Sequence, residues 1–293
     1  MSLTLAILFA VLGTAGWVAL DVVRKQLAGR LEATHIVIVL TTGAIPAFAI
    51  WAAVSGATIP APGYLGPALG VIALNVAANL LFMRALELSP LSLTIPFLSF
   101  TPVFTVLLAS PLLGEWPRAL QLAGVLAVVV GALVLGLSRG RGEGGGGGLG
   151  WILQEPGVRY ILLVALCWAS GMVLDKSALA YASVPVHALV VDAGIALCLL
   201  LWISLRGRLG ALAEVTRHAR TLGVGVLLAA LAMAFQLLAL KVLLVGVLET
   251  IKRALELVAS VLIGRFVFAE TLDATKLAGV LLMALGTAGV MLG

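Results

Sequence analysis

Glu249, Lys252, Arg253 and Glu256 cluster within eight residues of a largely apolar stretch near the C-terminal end of the chain, 244–266. On a helix advancing about 100° per residue they fall at roughly 0°, 300°, 40° and 340°, which is one face. Ser260 and Gly246 share that face, and the remaining surface is mostly Leu, Val, Ile and Ala. Two chemistries fit the spacing. The i,i+3 and i,i+4 intervals permit Glu249–Lys252, Glu249–Arg253 and Lys252–Glu256 pairs that neutralise one another and do nothing more. Alternatively the stripe lines a cavity. Lys252 as a mobile point charge, or Arg253 as a bidentate fork, then attracts a carboxylate or phosphate. In that case Glu249 or Glu256 pairs with an amine or carries a coupling proton.

Other polar groups interrupt apolar runs. Asn75 and Asn79 are four apart and share a face, suited to helix–helix hydrogen bonding or to substrate contact. Gln236, near Met233, is a further candidate contact. Asp192 is a lone acid that either titrates or lies at the membrane interface. Pro96 and Pro102 remove backbone donors and break their helix, with Ser92 and Ser99 on the same face as Pro96. Trp17 and Trp168 either pack in the interior or present aromatic surfaces to a pathway. His35 and His187 read as interfacial. Cys167 and Cys198 read as small hydrophobes rather than a disulfide or a metal pair. No Gly-x-Ser-x-Gly, His-Glu-x-x-His or Asp-rich cation motif is present, so neither an enzyme nor a metal or other cofactor is expected.

The elements that carry these groups follow from composition. The 293 residues are 62% hydrophobic and 11% charged, with a mean hydropathy of +1.20. A bilayer tolerates that much apolar surface. The net charge of +5 comes from basic residues at the ends of apolar runs, where they set topology; nucleic acid is not an expected partner. With about 20 residues needed per span, the candidates are 3–20, 35–54, 65–86, 92–112, 119–137, 158–178, 187–205, 222–240, 244–266 and 275–292. The first run has no basic n-region or clear cleavage site and reads as a retained span. Arg139–Gly148, with its five-glycine run, reads as a flexible linker.

The two halves repeat. A shift of 155 overlays Leu113–Leu137 on Phe268–Leu292, bringing Glu115 onto Glu270, Gly124 onto Gly279 and Gly131 onto Gly286. A shift of 151 places Trp17 on Trp168, and one of 152 places His35 on His187. Five spans per half is an odd number, so the second half enters from the opposite side. The fold expected is all-α, with about ten transmembrane helices as two inverted five-helix repeats, an architecture recurrent in transporters. The charges agree. Arg24, Lys25 and Arg30 follow the first span, and Lys176 alone follows the sixth. No Lys or Arg follows the second span, whereas Arg206, Arg208, Arg217 and Arg220 follow the seventh. Both termini lie on one side, which the positive-inside rule makes the outside.

The block from Ser89-Pro90 to Pro102-Val103-Phe104, then Gly114-Glu115, Gln121-Leu122-Ala123-Gly124 and Gly131, resembles the EamA-type members of the drug/metabolite transporter superfamily. So does its second copy, with Lys252-Arg253, Phe268, Glu270, Gly279 and Gly286. The resemblance covers essentially the whole chain: repeat one over 1–138, linker 139–157, repeat two over 158–293. It implies a secondary carrier in the inner membrane, exporting or exchanging small metabolites or drugs by alternating access. It also implies cytoplasmic termini, against the loop charges, and a central midplane cavity lined by the third, fourth, eighth and ninth spans. The substrate-binding residues expected are Asn75, Asn79, Ser99, Gln236, Glu249, Lys252, Arg253, Glu256, Trp17 and Trp168. Coupling candidates are Glu249, Glu256 and Asp192, with protons as the coupling ion. The partners are thus a small-molecule substrate and membrane lipid, with the oligomeric state open. The second half lacks a proline matching Pro102, Leu257 standing there instead, so the halves are unequal. The alternative is a flippase for a lipid-linked sugar or phospholipid.

Overall fold

The computed structural model describes residues 1–27, 30–88, 95–140, 156–267 and 274–292. They form ten α-helices: α1 (Leu3–Leu27), α2 (Ala33–Val54), α3 (Leu65–Leu88), α4 (Thr101–Leu113), α5 (Ala119–Gly140), α6 (Pro156–Ala178), α7 (Val184–Leu205), α8 (Ala219–Leu240), α9 (Val245–Val267) and α10 (Ala274–Leu292). Two 3-10 helices, Ile95–Phe100 and Leu209–His218, precede α4 and α8. The chain is thus an all-α integral membrane protein of two inverted five-helix repeats. Residues 141–155 of the expected linker lie outside the described residues, as do Ser89, Pro90, Ser92, Phe268 and Glu270 and the side chains of Pro96 and Ser260.

Length and hydropathy alone suffice for α1, α2, α3, α6, α7 and α8 to cross a bilayer. The apolar parts of α4, α5 and α10 are shorter, and the apolar run of α9 is broken by Glu249, Lys252, Arg253, Glu256 and Arg265. The fourth span is divided: the 3-10 helix containing Pro96 gives way to α4, with Pro102 in its first turn. A missing backbone N–H there has no helical partner to lose. Gly114 ends α4 in the left-handed conformation at φ 70°, which only a residue without Cβ adopts freely.

The chain packs as two compact units that do not follow the sequence halves. Unit 1 is 1–76 with 174–242, and unit 2 is 77–173 with 243–293. In unit 1, α1 packs on α8, and α2 packs on α7 and α8. The core shared by α2, α3 and α7 includes Ile38, Val71, Ile72, Val191, Ile195 and Leu199. In unit 2, α5 packs on α10, and α9 packs on α4 and α10. Helices α2 and α7, α4 and α9, and α5 and α10 therefore meet as repeat counterparts.

The α5–α10 contact shows the inversion at atomic scale. A Cβ on Gly286 would stand 2.7 Å from the carbonyl oxygen of Gly124, and one on Gly131 would stand 2.8 Å from that of Gly279. Gly124 corresponds to Gly279 and Gly131 to Gly286, so each glycine faces the counterpart of the other. That reciprocal pattern is what a two-fold axis produces. Small residues let the two backbones touch, which is how helices associate when lipid is as apolar as leucine.

Candidate functional site

The α9 stripe lies in unit 2 and is charge-balanced within itself. Glu249 is fully buried and Arg253 is 6% exposed. The Glu249 carboxylate stands 3.5 Å from Lys252 Nζ and 3.6 Å from Arg253 Nε. Arg253 Nη1 donates to Glu256 Oε2 at 2.8 Å. Two carboxylates and two cations thus neutralise one another along two turns, with Arg253 held between both acids. Burial of a charge without such partners costs several kcal/mol. The Glu249–Lys252 and Glu249–Arg253 pairs are those the spacing permits, and the short contact to Glu256 comes from Arg253.

The cluster also has an aromatic wall. The Arg253 guanidinium carbon lies 5.4 Å from the centre of the Trp168 ring, inside cation–π range. Phe82 of α3 stands 5.8 Å from the same ring. In helix terms, Arg253 and Glu256 are eight and eleven residues beyond Val245, about 12 and 17 Å along α9. They therefore sit near the middle of the span. Lys252 and Glu256, at 15% and 18% side-chain exposure, are the members of the stripe open to an incoming group.

The start of α9 is fixed by Glu115, whose carboxylate accepts the Val245 N–H at 2.7 Å. A carboxylate satisfies the orphan donors of a helix N-terminus and meets the positive end of its dipole. Glu115 follows α4, so the turn after one helix sets the start of its repeat counterpart, and with it the position of the stripe.

Unit 1 holds the other tryptophan differently. Trp17 Nε1 donates to Gln236 Oε1 of α8 at 2.8 Å, and Arg24 lies 6.0 Å from the Trp17 ring centre. The counterparts Trp17 and Trp168 thus each have an arginine beside the ring, but only unit 2 joins that arginine to a buried acid. Of the remaining expected residues, Asn75 donates to the Val71 carbonyl of its own helix at 2.9 Å. Asn79, one turn on, falls in the part of α3 that belongs to unit 2. Ser99 is buried in the 3-10 segment. Asp192 is buried in α7 of unit 1. The structure therefore brings together Glu249, Lys252, Arg253, Glu256 and Trp168 in unit 2, and Trp17 and Gln236 in unit 1.

One constellation has no forerunner in the sequence pattern. Tyr64 Oη lies 3.0 Å from His187 Nδ1, and His187 Nε2 lies 2.9 Å from Asp175 Oδ1. All three are buried. Burial, with the Asp175 charge behind it, pushes the Tyr64 phenol up to about 12. The phenol therefore keeps its proton and donates to Nδ1, leaving Nε2–H to donate to Asp175. Tyr64 precedes α3, Asp175 is in the last turn of α6, and His187 is in the first turn of α7. The chain ties three helix ends of unit 1 together.

Comparison with known proteins agrees with this architecture. A solved structure described only as "Crystal structure of protein" superposes with a TM-score of 0.71 at 19% identity, over 98% of this chain and 96% of that one. At that identity the likeness speaks for the fold alone. No curated protein matches the chain in sequence. The model of the EamA-like transporter family matches residues 4–137 and again residues 155–292. With both repeats matched across nearly the whole chain, the protein belongs to the EamA-like transporter family.

Proposed function

We propose that this membrane transporter is a secondary carrier that exports or exchanges a small polar or amphipathic metabolite by alternating access. In this reading its opposed repeats rock about a substrate held against the α9 stripe. The observation that carries it is the combination of Arg253, Glu249, Glu256 and Trp168 in mid-span. Ionisable residues inside the membrane are costly and are by default a functional-site hypothesis. The partly exposed Lys252 and Glu256 would meet the charged groups of the solute, and Trp168 its apolar part. In the family setting the membrane is the bacterial inner membrane, with both termini cytoplasmic, although the loop charges favour the opposite side.

The test is a thermal-stability screen of purified protein against amino acids, nucleotides, sugar phosphates, cationic drugs and lipids. A ligand that binds the folded state raises its stability by mass action. One solute class should give a dose-dependent shift that weakens in Arg253→Lys, which keeps the charge and loses the fork. Stabilisation by lipids alone would transfer the assignment to the flippase alternative. Stabilisation by no class, or one unchanged in Arg253→Lys, would remove the α9 stripe as the binding site.

A further inference from the structure

Of the acids within spans, Asp175 is bound to His187, and the structure separates the three coupling candidates Glu249, Glu256 and Asp192. Glu249 and Glu256 are committed to Arg253 and Lys252. Asp192 is different. It is 6% exposed, and among the described residues its carboxylate has no hydrogen bond or ion pair. It lines a crevice of about 60 Å³ in unit 1, several times the roughly 10–15 Å³ that one water needs. A buried carboxylate without a partner is expensive unless it is neutral or reached by solvent.

The crevice has a direction. Its walls include Arg24 and Trp17 of α1, Thr41 of α2, and Ala229 and Met233 of α8. Arg24, whose side chain is 40% exposed, is three residues from the end of α1, about 5 Å from that end. Trp17 lies about 15 Å from it, Thr41 about 12 Å into α2, and Met233 about 21 Å into α8. Asp192 is thirteen residues before the end of α7, about 20 Å deep. The α1–α2 and α7–α8 connections lie on one side, joined by an Arg208–Glu32 ion pair at 3.5 Å. The crevice thus leads from a half-exposed arginine near one face to a carboxylate near mid-span.

The chemistry of the lining selects the ion. Hard metal cations take about six oxygen ligands. This crevice supplies one carboxylate and the Thr41 hydroxyl, which already donates to the Val37 carbonyl at 2.9 Å, with a guanidinium at the mouth. Helix α8 contributes only Ala229 and Met233, and α3 packs on α7 through the apolar Ile72 and Val76. On α7 itself, His187 is bound to Tyr64 and Asp175. Arg24 is therefore the one other charged group among the described residues that lines the crevice, and it is paired with Asp21 at 3.1 Å.

We propose that Asp192 is a reversible proton site, reached through the crevice that opens beside Arg24, and that it carries the coupling proton of this carrier. The carboxylate takes one proton from hydronium, leaving water, and becomes neutral; release returns the proton by the same route. The existence of the site does not depend on the carrier reading; only its coupling role rests on that reading.

The test is infrared titration of the protein reconstituted in lipid, with no solute added. Wild type minus Asp192→Asn should show a carboxylic-acid C=O band that grows on acidification and vanishes on alkalinisation, and that shifts promptly in D₂O. Asp192→Glu should restore a titrating band, which guards against an Asp192→Asn variant that folds poorly. Identical titrations of wild type and Asp192→Asn, or a band that does not exchange in D₂O, would overturn the site. If the band behaves as expected and yet no solute from the stability screen is moved by a pH gradient across proteoliposomes, the coupling role fails while the site stands; the carrier reading fails only where those solutes show no counterflow either. Gradient-driven uptake that survives in Asp192→Asn would overturn the coupling role.

Discussion

The guanidinium of Arg253 lies over Trp168 at 5.4 Å while its Nη1 donates to Glu256 at 2.8 Å and its Nε faces the buried Glu249 at 3.6 Å. One side chain from α9 thus joins two acids of its own helix to an aromatic ring of α6. A guanidinium does this because its donors lie in the plane and its faces stay free to stack. An ammonium at position 253 would keep the charge but could not serve all three partners together.

Removing the group should therefore be a stability event as well as a functional one. Arg253→Ala leaves Glu249 fully buried with Lys252 as its remaining cation within the stripe, and breaking a buried pair from one side costs about 3–5 kcal/mol. Thermal unfolding in detergent should show a large loss for Arg253→Ala and a smaller one for Arg253→Lys. Adding Glu249→Gln to Arg253→Ala should recover part of the loss, since it removes the stranded charge. A double variant as unstable as the sum of its parts would mean that the Glu249–Arg253 pair contributes nothing.

The legible part of this molecule is what one helix can encode. Four charges on one face of an apolar stretch announce the α9 stripe, and the pairs with Glu249 follow from i,i+3 and i,i+4 spacing. The glycine correspondence between 113–137 and 268–292 announces the repeat, because identical backbone contacts demand a missing Cβ at matched positions. What stayed hidden depends on contacts between distant segments. Nothing local says that Trp168 will wall Arg253, or that Gln236 will accept from Trp17, since each partner is brought in by helix packing. The same holds for Tyr64, Asp175 and His187, each an unremarkable polar residue near a helix end until packing makes them one chain. Lys252–Glu256 was an equally allowed pairing by spacing. The short bond instead comes from Arg253, whose longer forked side chain reaches Glu256 while still facing Glu249.

The α5–α10 contact predicts an unusual response to alanine. Alanine normally stabilises a helix interior over glycine by up to about 1 kcal/mol. At Gly286 the added Cβ would stand 2.7 Å from the Gly124 carbonyl oxygen and 3.0 Å from both Ala127 Cβ and Val128 Cγ2. Overpacking of that kind costs about 1–3 kcal/mol, so the balance goes against folding. Gly286→Ala should lower the unfolding temperature. Gly223→Ala in α8, where nothing lies within 4 Å of the added atom, should hold or raise it. Equal behaviour of the two would mean that α5 and α10 do not meet backbone to backbone.

The Tyr64–His187 contact makes stability fall with alkali in a window that can be named. The phenol titrates at 10.0 when free and at about 12 in the folded protein. Below pH 10 both states hold the proton, and the contribution of the buried phenol is fully present. As pH rises from 10 toward 12 the unfolded chain releases its proton while the folded chain keeps it, so the equilibrium is drawn toward unfolding. Wild-type protein in detergent should therefore lose unfolding temperature more steeply across this window than Tyr64→Phe, which has no proton to release. Below pH 10 the order should reverse in kind: Tyr64→Phe lacks the hydrogen bond to His187 and should be the less stable, by about 1 kcal/mol. Parallel profiles for the two proteins from pH 8 to 12 would show that Tyr64 is solvated and that the Tyr64–His187–Asp175 chain does not hold the three helix ends.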